Sequence, residues 1–464
     1  MSDLIEKVSD SGFPVKFVDI SVADHRLRGK LRRTQMQESH LRGVHGMKLY
    51  YKLENMHETG SFKERGALNA LLNLSAEQKK KGVIAASAGN HALALAYHGS
   101  QLGIPVTVVM PTVAPLTKIE KSRAYGAKVI ISGTHIGEAR LEANKIMAQE
   151  GQTYINGFDD PNIIAGAGTL GLEILSELED VDAIIVPVGG AGLLAGITLA
   201  VKSVKPMCEI IPVESTNCPS FKHALECGKP TAPTVKGSLA DGLAVPVVGA
   251  NSFAIAKNFF KPNDVILVSE RDIALAIVRL METEKIVSEG SGAVGLAAIM
   301  SGQLERLIGK KVVVCVCGGN IDITVLGRVI ERGLFADGRI IQFDAAISDR
   351  PGGLRFLTGL IAEMGGSVKE IMQEHPYITD VSICSVHIMV EVSSRSQGEL
   401  LLNHLTNNGV VTRLLTDEKW ADLNNHIVTS HSKKAMESKS PTSPLDKKTE
   451  RSEEEAQPAK KKKS

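Results

Sequence analysis

Four short runs carry residue types and spacings that suit chemistry. The first, Gly60-Ser61-Phe62-Lys63-Glu64-Arg65-Gly66-Ala67, places a lysine at the mouth of a predicted helix over 67–72. A lysine that reacts as an amine needs a lowered pKa, and both partial burial and the positive end of a helix lower it. Lys63 therefore suits Schiff-base chemistry, although a lone lysine near a helix start is more commonly a solvated charge. The second run, Ser87-Ala88-Gly89-Asn90-His91, joins a buried strand to a helix. Its N–H groups and hydroxyl suit a carboxylate, and Asn90 suits a ligand oxygen; alone, the run is equally an N-cap. In the third, Val188-Gly189-Gly190-Ala191-Gly192-Leu193, glycines let backbone N–H groups close on a phosphate, and the run also fits the dinucleotide pattern G-x-G-x-x-A. The fourth, Val312 to Asn320, is a buried strand ending in Cys315-Val316-Cys317-Gly318-Gly319-Asn320. Period-2 alternation puts Cys315 and Cys317 on one face, where small core fillers are the plain alternative.

These runs are positioned by alternating elements. Strand-like stretches at 83–86, 105–110 and 127–131 are separated by helices from about Asn90 and Thr117, and the pattern recurs at 182–188, 209–213, 264–268 and 311–315. Such order predicts an α/β chain with parallel sheets in two lobes, with the ligand at the carboxyl ends of the strands. After about Gly338 a compact β-α-β-β unit is expected: a strand 340–346, the turn Asp349-Arg350-Pro351-Gly352-Gly353, a helix 354–364 and an apolar run 381–392. The end of the chain is rich in Ser, Pro, Lys and Glu, which predicts a disordered charged tail over 428–464; its Lys460–Lys463 run reads as solvated charge.

Composition narrows the function classes. The 464 residues carry a net charge of +1 and only 4% aromatics, which argues against a nucleic-acid partner. Six cysteines without C-x-x-C spacing suit reduced thiols and a cytoplasmic location, and the N-terminus lacks the apolar region of a signal peptide. The uncharged stretch 183–201 is long enough to span a bilayer, but its proline and four glycines punctuate it as strand, loop and helix, so no membrane partner is expected.

Taken together and in this order, G-S-F-K-x-R-G-A, S-A-G-N-H, G-G-A-G-L and C-G-G-N-I-D resemble the fold-type II pyridoxal-phosphate enzymes, specifically their serine/threonine dehydratase branch, over about Asp19 to Leu334. The resemblance implies a two-lobed, tryptophan synthase β-like catalytic domain over 1–335, its smaller lobe about 58–157 inserted in the larger. It implies pyridoxal 5'-phosphate held by Lys63, with Phe62 against the ring, Asn90 on its phenolic oxygen, and the phosphate in Gly189, Gly190, Ala191, Gly192 and Leu193. Relatives often have four glycines in that loop, so Ala191 is a departure. Cys317 matches the position facing the pyridine nitrogen, Glu289 a family acid near the ring, and Ser87, Ala88, Gly89, Asn90 and His91 the cradle of the substrate carboxylate. The usual Gln after N-H-A is Leu93 here. The implied reaction is dehydration and deamination of L-threonine, and of L-serine, in a homodimer or homotetramer.

The unit at 339–415 is similar to an α+β ACT-like regulatory domain, whose turn Asp349, Pro351, Gly352 and Gly353 would take an amino-acid or nucleotide effector. Three rivals remain. Serine racemases share most motifs but use a serine where this chain has Ala88, and of their cation site only Glu214 is matched, with Ser220 where an acid is expected. The run Gly166-Ala167-Gly168-Thr169-Leu170-Gly171 matches a nicotinamide fingerprint but lacks the preceding strand. A catalytically dead amino-acid sensor would be expected to show decayed motifs, and these are intact.

Overall fold

The computed structural model describes residues 12–41, 46–374 and 382–415, which divide after Arg339 into two compact units. The expected tail at 428–464 lies outside the described residues.

In the first unit, strands β1 (Met36–Glu38), β2 (Lys48–Lys52), β7 (Ala183–Pro187), β8 (Glu209–Ser215), β9 (Ile266–Val268) and β10 (Lys311–Cys315) form a six-stranded sheet in the order β1-β2-β10-β7-β8-β9. Only the β1/β2 pairing is antiparallel. Between β2 and β7 the chain builds a second, all-parallel sheet, β5-β4-β3-β6, from β3 (Val83–Ala86), β4 (Val106–Met110), β5 (Lys128–Ile131) and β6 (Thr153–Tyr154). Parallel strands covered on both faces need apolar side chains throughout rather than in alternation, and Ala183–Pro187 is buried at every position.

The uncharged stretch 183–201 resolves into β7, a loop at 188–191 and the start of the helix Gly192–Val204. Among the described residues no helix is long and apolar enough to cross a membrane. That helix packs on Pro161–Glu177 through glycines: a Cβ on Gly196 would lie 2.5 Å from the Ile164 carbonyl oxygen, and one on Gly168 2.8 Å from that of Gly196. The nicotinamide-like run 166–171 therefore lies inside the helix Pro161–Glu177, where its glycines serve helix contact.

The second unit is a four-stranded antiparallel sheet, β12-β13-β11-β14, from β11 (Ile340–Ser348), β12 (Ser367–Glu374), β13 (Ile383–Glu391) and β14 (Val411–Leu414). Helices Gly353–Glu363 and Arg395–Asn407 complete a β-α-β-β-α-β order, one helix and one strand beyond the expected β-α-β-β. The second helix was missed because it buries only a narrow stripe, Gly398, Leu401 and Leu405, in an otherwise polar segment.

Candidate active site

Lys63 is the first residue of the helix Lys63–Leu72, which starts four residues earlier than expected. The loop before it is strapped to the segment after β10: the Phe62 N–H donates to the Cys317 carbonyl at 3.0 Å, Ser61 bridges Gly318, and the Gly319 N–H donates to Gly60 at 2.9 Å. Lys63 Nζ lies 5.0 Å from the Phe62 ring centroid and donates to the Gly157 carbonyl at 2.5 Å. Burial lowers its pKa to about 8, against the opposing pull of Cys317 and Glu289.

Two residues further, Arg65 reaches into the interior. It donates to both carboxylate oxygens of Glu54 at 2.7 Å and to Glu173 at 2.9 Å, and Lys52 joins Glu173 at 2.7 Å. All four side chains are buried. Burial alone would raise the Glu54 pKa, but Arg65 and then His57 outweigh it and hold the carboxyl well below its usual range. These ion pairs tie β2 and the helix Pro161–Glu177 to the helix that carries Lys63.

The loop after β3 runs into the helix Asn90–Gln101. Its first-turn N–H groups lack intrahelical acceptors, the Ser87 hydroxyl accepts from the Gly89 N–H at 3.3 Å, and a Cβ on Gly89 would meet nothing within 4 Å. The Ser87 N–H is spent on the Val109 carbonyl at 3.1 Å, so the donors of this open face are the backbone N–H groups of Ala88 and of the helix's first turn, Asn90 and His91. The His91 side chain lies in the core. Its ring is buried, with Nε2 3.1 Å from the Ile155 carbonyl oxygen, and a Cβ on Gly157 would strike it at 2.6 Å. Burial, then Lys63, pushes its pKa down to about 3, so it is a neutral core imidazole and offers the cleft only its N–H.

Asn90 Nδ2 donates to Glu289 Oε1 at 2.8 Å, and Asn320 Nδ2 donates to Asn90 Oδ1 at 2.9 Å and to the Thr59 carbonyl at 2.6 Å. Glu289 precedes the helix Gly290–Met300. Burial and then Asp241 raise its pKa to about 7, while Lys118 and Asn90 oppose the shift.

The loop 188–191 ends β7 and opens the helix Gly192–Val204, with Ala191 left-handed at φ 68°. Ala191 is one of two non-glycine residues with positive φ among those described. The glycines around it are needed for close approach: a Cβ on Gly190 or Gly192 would collide with Phe158, and one on Gly189 would lie 3.0 Å from the Leu243 Cα. Leu193, next in the helix, is buried. Cys317 and Cys315 share one face with Val313, and burial first, then Cys315, raises the Cys317 pKa well above that of a free thiol, so it stays neutral.

Sequence reasoning missed Asn320, Gly157 and the pair Lys118–Asp241, whose charged atoms lie 2.9 Å apart between the two lobes. Asn320 stands within a run already singled out; nothing local marks the other three. Glu214 is the one position of the racemases' cation site that this chain matches. Its oxygens accept the Phe221 and Lys222 N–H groups at 2.7 and 3.0 Å, making it the cap of the helix Ser220–Cys227. Among the described residues no group of three His, Cys, Asp or Glu side chains is placed to hold a metal.

In the second unit, Asp349, Pro351, Gly352 and Gly353 form the turn after β11. A cavity of about 670 Å³ is lined by Ser348, Arg350, Pro351, Gly353, Phe356 and Ile383, among others.

The family model for pyridoxal-phosphate dependent enzymes matches residues 27–318. This chain belongs to the pyridoxal-phosphate dependent enzymes. The pyridoxal-phosphate enzyme is 43% identical to an L-threonine ammonia-lyase of Thermotoga maritima over 76% of its own length and 87% of the relative's. It is 40% identical to one of Geobacter sulfurreducens over 85% and 98%. Among solved structures it is similar to maize serine racemase (31% identity, TM-score 0.65, covering 70% of this chain and 99% of that one). It is also similar to a threonine deaminase of Solanum lycopersicum (33%, TM-score 0.64, 71% and 88%).

The residues fit the cofactor. Two buried polar atoms, Glu289 Oε2 and Ser291 Oγ, have no protein partner, the space over Gly89 is open, and the Lys63 amine is half neutral near pH 8. The glycine loop at the head of the helix Gly192–Val204 supplies the N–H donors that a phosphate requires.

Proposed function

We propose that this enzyme eliminates water from L-threonine to an enamine, which takes water back on hydrolysis to 2-oxobutyrate and ammonia, and likewise converts L-serine to pyruvate and ammonia. The observation that carries the reading is Lys63, a half-buried amine of lowered pKa at the junction of the two lobes, in a chain 43% identical to an L-threonine ammonia-lyase.

Lys63 Nζ would hold the cofactor, with Phe62 beside it, Asn90 and Cys317 bordering the ring, Glu289 behind Asn90, and Gly189 to Leu193 on the phosphate. Bound pyridoxal phosphate supplies an electron sink for the substrate α-carbon. The Ser87 hydroxyl and the N–H groups from Ala88 to His91 would orient the substrate carboxylate. The freed Lys63 amine takes the α-proton, which offsets the proton that the β-hydroxyl needs to leave as water. A neutral Cys317 thiol is a weak partner for a ring nitrogen, which suits loss of a β-leaving group and disfavours transamination. Ala88 supplies no side-chain proton carrier, so little D-serine should form. The test is a coupled assay for 2-oxobutyrate from L-threonine with the purified protein and with Lys63→Ala; undiminished production by the variant would overturn the reading.

Residues 339–415 are proposed as an ACT-like regulatory domain whose cavity at Ser348–Gly353 takes a small amino acid. Calorimetry with isoleucine, valine and a nucleotide tests this. A homodimer or homotetramer is proposed, to be checked by light scattering, and a cytoplasmic location is in keeping with six unpaired cysteines.

A further inference from the structure

Asn320 sits where three segments meet: the strand-to-helix connection after β10, the loop that leads to Lys63, and the first turn of the helix Asn90–Gln101. A Cβ on Gly60 would lie 2.6 Å from Asn320 Oδ1, so the lysine loop is moulded around this amide.

The neighbours of the amide determine which way it faces. The Thr59 carbonyl oxygen can only accept, and it stands 2.6 Å from Asn320 Nδ2. The Lys121 ammonium can only donate, and it stands 3.4 Å from Asn320 Oδ1. Nδ2 therefore points to Thr59 and, with its second hydrogen, to Asn90 Oδ1 at 2.9 Å. An amide whose oxygen is already engaged by a donor must present its nitrogen on the other side, and Asn90 Nδ2 does so, donating to Glu289 Oε1 at 2.8 Å. The result is a one-way chain of donors, from Lys121 through Asn320 and Asn90 to Glu289, whose other carboxylate oxygen is buried without a partner.

We propose that Asn320 is a positioning residue that fixes the side chain of Asn90 with its N–H donors, rather than its carbonyl, turned toward the cofactor pocket. This rests on the reading of Lys63 as the cofactor-bearing lysine. Without Asn320 only the Glu289 contact holds the Asn90 amide, and a turn of 180° about its terminal bond would present an acceptor to an anionic oxygen, which repels it.

The test is a pH titration of the visible absorbance of the lysine-bound cofactor in the holoenzyme, with Asn320→Asp and Asn320→Ala. Asp keeps the size but loses the donors. A donated N–H stabilises negative charge on the cofactor oxygen, so its loss should raise the titration midpoint by about one pH unit, the equivalent of one charge-assisted hydrogen bond. The value of kcat should fall more than tenfold with KM changed less than threefold.

Because Asn320 acts through Asn90, the double variant Asn90→Ala/Asn320→Ala should titrate and turn over like Asn90→Ala alone. Unchanged midpoints in the single variants, or additive losses in the double variant, would overturn the proposal and leave the Lys63 reading standing. If a variant fails to fold, borohydride trapping of cofactor on the soluble Asn90→Ala pair decides by the same additivity. A wild-type protein with no lysine-bound absorbance after adding pyridoxal phosphate would instead overturn the Lys63 reading and the proposal with it.

Discussion

Lys63 combines two properties that are hard to obtain together, an interior position and an amine free enough of its proton to react. Burial disfavours the ammonium form and brings the pKa from 10.5 to about 8, while the nearby Cys317 and Glu289 limit the shift. In cofactor-free protein, modification of Lys63 by an amine-selective reagent should follow a midpoint near pH 8 rather than near that of a free lysine. Peptide mapping across a pH series checks this. Lys63→Ala should lower L-threonine turnover by at least about 10²–10⁴-fold, the range of a lost general base, and remove the lysine-bound absorbance. The His91 imidazole behaves oppositely: burial keeps it neutral throughout the working range, so no pH dependence of turnover should trace to it.

At the scale of elements, the two features most exposed to substitution are the helix pair under the glycine loop and the ion pairs under the lysine helix. Gly196→Val should cost roughly 1–3 kcal/mol or more, because the added side chain meets the backbone of the helix Pro161–Glu177 instead of a side chain that can move aside. Ala191→Gly should do the reverse. A left-handed alanine carries about 1–2 kcal/mol of strain, and glycine returns about 0.4–1 kcal/mol of that as unfolded-chain entropy, so a small net gain in Tm is expected by calorimetry. Arg65→Met leaves Glu54 buried without its guanidinium and Glu173 with Lys52 alone, and should cost about 3–5 kcal/mol, read by denaturant unfolding.

The same ion pairs set a pH limit for the whole catalytic unit. Glu54 has its folded pKa held below the unfolded value, so its contribution is full above about pH 4.5 and is lost as pH falls through the lower folded value. Glu289 has its folded pKa raised to about 7, so the cost of its burial is absent below the unfolded value and grows as pH rises toward 7. Thermal unfolding followed from pH 3 to pH 8 should therefore show loss on the acid side that Glu54→Gln shifts, and a shallow decline above pH 5 that Glu289→Gln reduces. In the second unit, a Cβ on Gly353 would collide with the Ser348 carbonyl. Gly353→Val in the full chain should abolish, by calorimetry, the effector binding proposed for this turn and leave L-threonine turnover without effector unchanged.

The element order, the parallel sheets and the four motif runs were legible in the chain, because buried parallel strands and helix-opening glycines leave local marks: apolar runs without alternation, and small residues at strand ends. The family resemblance rests on those marks, and the match over residues 27–318 agrees with it. Contacts between segments distant in sequence were not legible. Whether His91 faces the cleft or the core depends on Ile155 and Gly157, more than sixty residues away, and whether Glu214 binds a cation or caps a helix depends on where Phe221 and Lys222 turn. The donor chain through Asn320 and Asn90 requires two lobes to close on each other, and hydrogen-bond direction is a property of that closure. Sequence alone determined which residue types were available for chemistry; the tertiary structure decided which of their atoms face inward, because only packing removes water and makes each polar group find a partner.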